Sequence, residues 1–270
     1  MSEEIKIVSI IGTGYLGKQI AEKTALKEYT IRLYDTNVED LEKFSRKLKR
    51  RKKTPGEITS HETIKDAVKD ADLIIEAVPE ILDLKREIFK VIDEAAQPNA
   101  IIATNSSSIP VSKLEDNVER KEKLLNIHFY NIYTMPMADI MRGTKTSDET
   151  FEKGKKWVEN IDITPLIVKK ECYGFVFNRV WRAIKKECLK IWAGGYADLE
   201  EVDKAWKIFV NMGLSPFEFM DQIGLDVIYD IEMSYYKKSG LEDDKPPQAL
   251  KDMVDKGNLG QKTKKGFYTY

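Results

Sequence analysis

Cysteine is nearly missing from this chain: Cys172 and Cys188 are the only two in 270 residues. They match no metal-ligand spacing and no disulfide framework, and a reducing cytoplasm is the simplest compartment for them. An excess of either charge is lacking too. The 44 basic residues face 45 acidic ones, a net charge of −1, which removes any whole-chain reason to expect nucleic acid or an anionic membrane as partner. No apolar run approaches the roughly 20 residues of a membrane span. The start, MSEEIKIVSIIG, is acidic and lacks the basic region and long apolar stretch of a signal peptide. Histidine is as scarce as cysteine, with only His61 and His128.

What is there suffices for a full core. Hydrophobic residues make up 42% of the chain, and the length fits one large or two modest domains. The charged fraction, 33%, implies a surface rich in ion pairs. Short apolar, β-branched runs recur at IKIVSII (5–11), TIRLYD (30–35), LIIEAV (73–78), AIIAT (100–104) and LLNIHF (124–129). Runs apolar on both faces suit strands buried between helices. Helical periodicity lies between them, clearest at LDLKREIFKVIDEAAQ (82–97). This alternation predicts an α/β fold, a doubly wound, mainly parallel sheet.

Two further strand-like pieces, MADIM (137–141) and PLIVK (165–169), flank a helix at 147–160. From Gly174 onward every signal is helical. A helix over 175–193 closes at Gly194 and Gly195. Asp198 with Glu201 reads as a capping box for the next, and Ser215, Pro216 and Glu218 open a third. A fourth, 247–256, ends at Gly257. The expected domains are therefore 1–172, of Rossmann type, and an all-α domain at 173–270.

IIGTGYLGKQIA (10–21) holds Gly12, Gly14 and Gly17 in the G-x-G-x-x-G spacing, with Tyr15 and Leu16 between them. The pattern follows a strand and opens a helix, whose free N–H groups and dipole suit a pyrophosphate. Asp35 ends the second strand, where a carboxylate hydrogen-bonds a ribose and repels a 2′-phosphate, so NAD is expected rather than NADP. An ordinary tight turn is the bland alternative for the glycines. His128 sits at the end of an apolar strand in NIHFYN. Alone it reads as a core histidine. His61, in SHETIKD, reads as exposed at a helix start.

Several markers together point further: EAVPE (76–80) with Lys85, TNSSSIP (104–110), HFYN (128–131), GFVFNR (174–179), GLSPFEFMDQIGLD (213–226) and GQKTKKGFYTY (260–270). In order and spacing the chain resembles the L-3-hydroxyacyl-CoA dehydrogenase family from about residue 5 to residue 270. The resemblance implies NAD-linked oxidation of a 3-hydroxyacyl-CoA, no metal, and a homodimer formed through the helical domain. It implies roles for His128 as general base, Ser107 and Asn178 as donors to the substrate oxygen, and Glu80, Lys85 and Asn105 on the cofactor side. An imidazole near neutral pKa is a natural acceptor for the alcohol proton, so beside these markers the catalytic reading of His128 overtakes the core one.

The chain departs from the family in three places. The acid that orients the histidine is usually a glutamate, and MPMADIM (135–141) has none. Direct counting puts Ile140 there, whereas one deletion brings Asp139 into place, and the deletion is the preferred reading. Ile132 stands where the family has proline, and Pro136 follows four residues later in a Pro-x-x-acid arrangement nearer to relatives that act on gulonate or carnitine. The segment between Asp35 and residue 73 holds roughly one helix, 37–53, whose basic end RKLKRRKK (46–53) either meets CoA phosphates or is simply solvated. Two competitors to a short-chain 3-hydroxyacyl-CoA dehydrogenase follow: a CoA-free 3-hydroxy acid dehydrogenase, and a non-catalytic NAD-binding protein on the same fold. Trp181, Trp192, Trp206, Phe217, Phe219, Tyr235 and Tyr236 suit either a dimer interface or the helical core.

Overall fold

The computed structural model describes residues 4–50, 55–211 and 213–270. Two compact units emerge, one reaching to Val176 and the other starting at Phe177. The break falls four residues beyond the expected one because Phe175, with Met141 and Val168, forms a small apolar cluster of the first unit.

The first unit runs β1 (Ile7–Ile11), α1 (Tyr15–Ala25), β2 (Thr30–Tyr34), α2 (Val38–Lys49), β3 (Ile58–Ser60), α3 (Ile64–Val68), β4 (Leu73–Glu76), α4 (Leu82–Ala95), β5 (Ile101–Thr104), β6 (Leu124–Phe129), β7 (Met137–Arg142), α5 (Asp148–Asn160) and β8 (Thr164–Val168). The strands form one sheet in the order β3-β2-β1-β4-β5-β6-β7-β8. Every pairing is parallel except β6 with β7. That reversal follows from chain length. The connection 130–136 is too short for a crossover, which needs about a dozen residues, so the chain must turn back.

Alternation sorts the apolar residues onto two faces. Leu73, Ile75, Leu125 and Ile127 join one core layer, while Ile74, Ile102 and Leu124 join the other. Each such side chain contributes about 1.5–3 kcal/mol when fully buried. The sheet is thus covered on both sides, as its near-continuous apolar strands require.

Two elements of this unit were not legible in the sequence. β3 is only three residues long, too short to show a period, yet it pairs in parallel with β2. α3 follows it, capped by Thr63. The expected helix over 37–53 ends at Lys49; of its basic run, Arg51 to Lys53 lie outside the described residues.

The second unit is helical: α6 (Phe177–Ala193), α7 (Leu199–Val210), α8 (Pro216–Ile223), α9 (Leu225–Ser239) and α10 (Gln248–Asp255). α6 starts two residues later than expected, since Gly174 and Phe175 both take positive φ, +82° and +50°. α9 is a separate helix, divided from α8 by Gly224 at φ +106°. The Ser215–Glu218 start forms as predicted, with Glu218 accepting from the Ser215 amide at 3.1 Å. The Asp198–Glu201 box does not. Asp198 is the N-cap without a side-chain bond, and Glu201 pairs instead with Lys204. Phe217 is fully buried in this unit's core, with Trp181 and Trp192 packed against the same cluster. Trp181 also meets Phe219 at 4.8 Å between ring centroids. The large apolar residues most exposed on these helices are instead Ile208 and Phe209. Among the described residues no helix is long and apolar enough to cross a membrane.

Candidate active site

The site is built at the carboxyl edge of the first unit's parallel strands, where open α/β sheets place their ligand crevice. After β1 the chain turns at Gly12, whose φ is +98° and whose missing Cβ would lie 2.6 Å from the Ala77 carbonyl oxygen. A Cβ on Gly17 would overlap the Gly12 carbonyl. The two positions therefore demand glycine for conformation and for closeness. Gly14 is the N-cap of α1 and supplies no side-chain cap, so the first N–H groups of the helix face outward. Tyr15 opens α1 and is exposed, with its phenol oxygen accepting from Asn131 Nδ2 at 2.8 Å, and Leu16 is half-buried.

Asp35 sits just beyond β2. Its Oδ2 accepts from the Thr13 amide at 2.6 Å and the Thr13 hydroxyl at 3.0 Å, and its Oδ1 from the Asn37 amide at 2.9 Å. The carboxylate thus ties the glycine turn to the strand end that a ribose would meet. A dinucleotide fits this frame: a turn closed by glycine, a bare helix start and a fixed carboxylate.

Beyond β4 the polar residues form a tight network. Glu76, fully buried, accepts from Lys85 Nζ at 2.6 Å, the Thr104 hydroxyl at 2.7 Å and the Val78 amide at 2.8 Å. Expected on the cofactor side, Lys85 is itself 1% exposed, with its ammonium enclosed by Glu76, the Val78 carbonyl and Glu80. Glu80 accepts from the Ser108 amide at 2.9 Å, the Ser108 hydroxyl and the Ser106 hydroxyl. Burial raises its pKa, but these hydrogen bonds and the Lys85 charge outweigh burial and hold it below its ordinary value.

Ser106 and Ser108 are thereby committed, while Ser107 between them is exposed. Two asparagines lace this loop to β6. Asn105 Oδ1 accepts from the Phe129 amide at 2.9 Å, and Asn126 Nδ2 donates to the carbonyls of Thr104 at 3.0 Å and Ser106 at 3.1 Å.

His128 is the fifth residue of β6 and lies directly opposite Asp139 in the antiparallel pairing. Its Nδ1 is 3.3 Å from Asp139 Oδ2, and both side chains are buried. Asp139, not Ile140, is therefore the acid at the imidazole; Ile140 pairs with Ile127 and points into the core. The Tyr130 hydroxyl donates to the same Asp139 oxygen, and the Val176 amide donates to Oδ1 at 3.4 Å. Phe175 stacks on the imidazole with centroids 4.8 Å apart and planes 8° from parallel. With Nδ1 turned to the carboxylate, Nε2 is the nitrogen left to exchange a proton.

Asn178 is the second residue of α6, in the other unit, and is half-buried. His61 was expected to be exposed. It is half-buried instead, after β3, with Nε2 2.9 Å from the Thr59 hydroxyl, and burial with the nearby Arg32 charge lowers its pKa. No cluster of three metal-ligating side chains occurs among the described residues.

The sequence reading missed Thr13, Glu76, Asn126, Tyr130 and Phe175. Period-two spacing held the signal for Tyr130, which follows β6 two residues after His128 and meets the same Asp139 oxygen.

Two family models together match nearly the whole chain: the NAD binding domain of 3-hydroxyacyl-CoA dehydrogenase over residues 7–172, and its C-terminal domain over 174–270. The chain belongs to the 3-hydroxyacyl-CoA dehydrogenase family. Within that family, a 3-hydroxybutyryl-CoA dehydrogenase of Clostridioides difficile is 34% identical, over 97% of this chain and 99% of its own length. A probable 3-hydroxybutyryl-CoA dehydrogenase of Bacillus subtilis is 32% identical, over 99% and 98%. Among solved structures, a diketoreductase acting on dicarbonyl compounds superposes with a TM-score of 0.88 at 32% identity, covering 99% of this chain and all of its own. An (S)-3-hydroxybutyryl-CoA dehydrogenase of Ralstonia eutropha gives 0.85 at 29% identity, covering 99% of each chain. As a 3-hydroxyacyl-CoA dehydrogenase family member, the chain is an NAD-dependent oxidoreductase acting on CH–OH groups.

Proposed function

We propose that this chain interconverts a short-chain L-3-hydroxyacyl-CoA and its 3-ketoacyl-CoA. The observation that carries the reading is the His128–Asp139 pair, set across two strands at the carboxyl edge with Nδ1 and Oδ2 3.3 Å apart. Asp139 holds Nδ1, so Nε2 accepts the proton of the 3-hydroxyl. Bound NAD supplies the acceptor for the hydride from C3. Ser107 donates a hydrogen bond to the substrate oxygen as it gains charge in the reverse direction, and the family resemblance gives Asn178 the same role. Gly12, Gly14, Tyr15, Leu16 and Gly17 line the pyrophosphate side of the cofactor, with Asp35 at the ribose. Glu80, Lys85 and Asn105 shape that side by fixing the loops around it.

A second reading rests on two observations: the similarity to a diketoreductase, and the short elements between β2 and β4, where among the described residues α2, β3 and α3 span twelve, three and five residues. In that reading the substrate is a 3-hydroxy acid or dicarbonyl compound without CoA. NADH consumption followed with acetoacetyl-CoA, and in parallel with free acetoacetate, decides between them. Turnover of the thioester alone supports the first reading and of the free acid alone the second, while binding of NADH without turnover of either removes both. We further infer a cytoplasmic homodimer formed through the helical unit, which light scattering in solution tests.

A further inference from the structure

We propose that Tyr130 is a positioning residue for His128, acting through Asp139. The proposal rests on the dyad reading above and adds a third member to it. Four observations converge on the phenol. Tyr130 is buried one residue past β6 and two residues after His128. Its hydroxyl donates to Asp139 Oδ2, the oxygen that His128 Nδ1 faces. Its ring meets the imidazole edge-on, 4.6 Å between centroids at 69°. Asp139 is also fully buried, and its oxygens meet the phenol, the imidazole and the Val176 amide.

The chemistry follows from sharing one carboxylate. A short-armed aspartate across a strand pair approaches Nδ1 at 3.3 Å, longer than an ordinary charged hydrogen bond. A second donor on the same oxygen fixes the rotamer and draws off part of the negative charge. Both effects act on the imidazole: the first sets which way Nε2 points, the second limits how strongly the ring holds a proton. The groups packed around the imidazole name the other contributors. Asp139 comes from β7, and Tyr130 is the residue just after β6. The segment after β8 brings the neutral Phe175 ring, with the Cys172 thiol 3.7 Å from the Phe175 carbonyl. β5 lies on the other side of β6, and Asn105, the residue after it, accepts from the Phe129 amide.

The test uses the protein's scarcity of histidine. With two histidines in the whole chain, the imidazole C2–H signals of the full-length protein number two, and His61→Asn identifies which is which. No substrate is needed. In Tyr130→Phe the carboxylate loses a donor and pulls harder on the protonated ring, so the His128 midpoint rises by about half a unit to one unit. In Asp139→Asn the midpoint falls, and adding Tyr130→Phe to that variant moves it no further. Tyr130→Leu, which removes the ring edge as well, repeats the rise if the protein melts normally. An unmoved midpoint in Tyr130→Phe overturns the proposal even if thermal stability drops, and so does an equal rise on top of Asp139→Asn. The dyad reading itself fails separately, by His128→Ala retaining turnover of acetoacetyl-CoA.

Discussion

Lys85 and Glu76 form an ion pair closed off from water, Nζ to Oε1 at 2.6 Å, with neither side chain more than 1% exposed. Breaking such a pair leaves one charge buried without its partner, which costs about 3–5 kcal/mol, whereas replacing both partners with apolar groups of similar shape is often neutral. Lys85→Met alone is expected to lower stability by that amount in denaturant titration, Glu76→Gln by less because Glu80 remains 3.4 Å from the ammonium, and the double variant Glu76→Leu/Lys85→Met to recover most of the loss. Because Glu76 also accepts the Thr104 hydroxyl, the recovery is expected to stop short of complete.

His128→Ala is expected to lower turnover by roughly two to four orders of magnitude while NADH still binds, since general-base catalysis contributes that much. Asp139→Asn keeps the imidazole but loses the charge beside it, so a smaller fall, about ten- to hundredfold, is expected. Steady-state rates with acetoacetyl-CoA, paired with NADH fluorescence titration, separate the two effects.

Asp35→Ala removes the carboxylate that a 2′-phosphate would face and also frees Thr13. The preference for NADH over NADPH, read as the ratio of kcat/KM values, is expected to fall by about tenfold or more, equivalent to about 1.4 kcal/mol or more. Most of the change is expected as lost NADH efficiency, because the glycine turn loses its anchor.

Burial pushes the Cys188 thiol up from 9.0 to about 11, with the Asp203 carboxylate adding to the rise. A pKa raised on folding gives stability that is whole below 9.0 and lost as pH climbs towards 11. The alkaline loss of stability is therefore expected to be gentler over that window in Cys188→Ala. Iodoacetamide near pH 8 is expected to label half-exposed Cys172 well before Cys188, because the thiolate is the reacting form; mass spectrometry of the folded protein checks the order.

The sheet was legible because its strands are apolar on both faces. Leu124–Phe129 carries no polar interruption before His128 except Asn126, and its bounds were read without shift. β3 was not, since Ile58–Ser60 holds a single buried residue and no period. The glycine turn was visible as spacing, but its hold on Asp35 depends on Thr13, a residue that no motif requires. At the imidazole, sequence left Asp139 and Ile140 in competition. Cross-strand register decides it, and register is a relation between distant residues that counting along one chain does not supply. Phe175 lies further still from legibility: a left-handed backbone at a phenylalanine runs against local preference, and only packing on His128 makes sense of it.

The asparagine lacing between the serine loop and β6 has a thermal consequence. Asn105 holds the Phe129 amide, and Asn126 holds the carbonyls of Thr104 and Ser106. Opening the loop that bears Ser107 away from the strand that bears His128 therefore breaks three hydrogen bonds to buried groups, so the two are expected to loosen together on warming rather than one before the other.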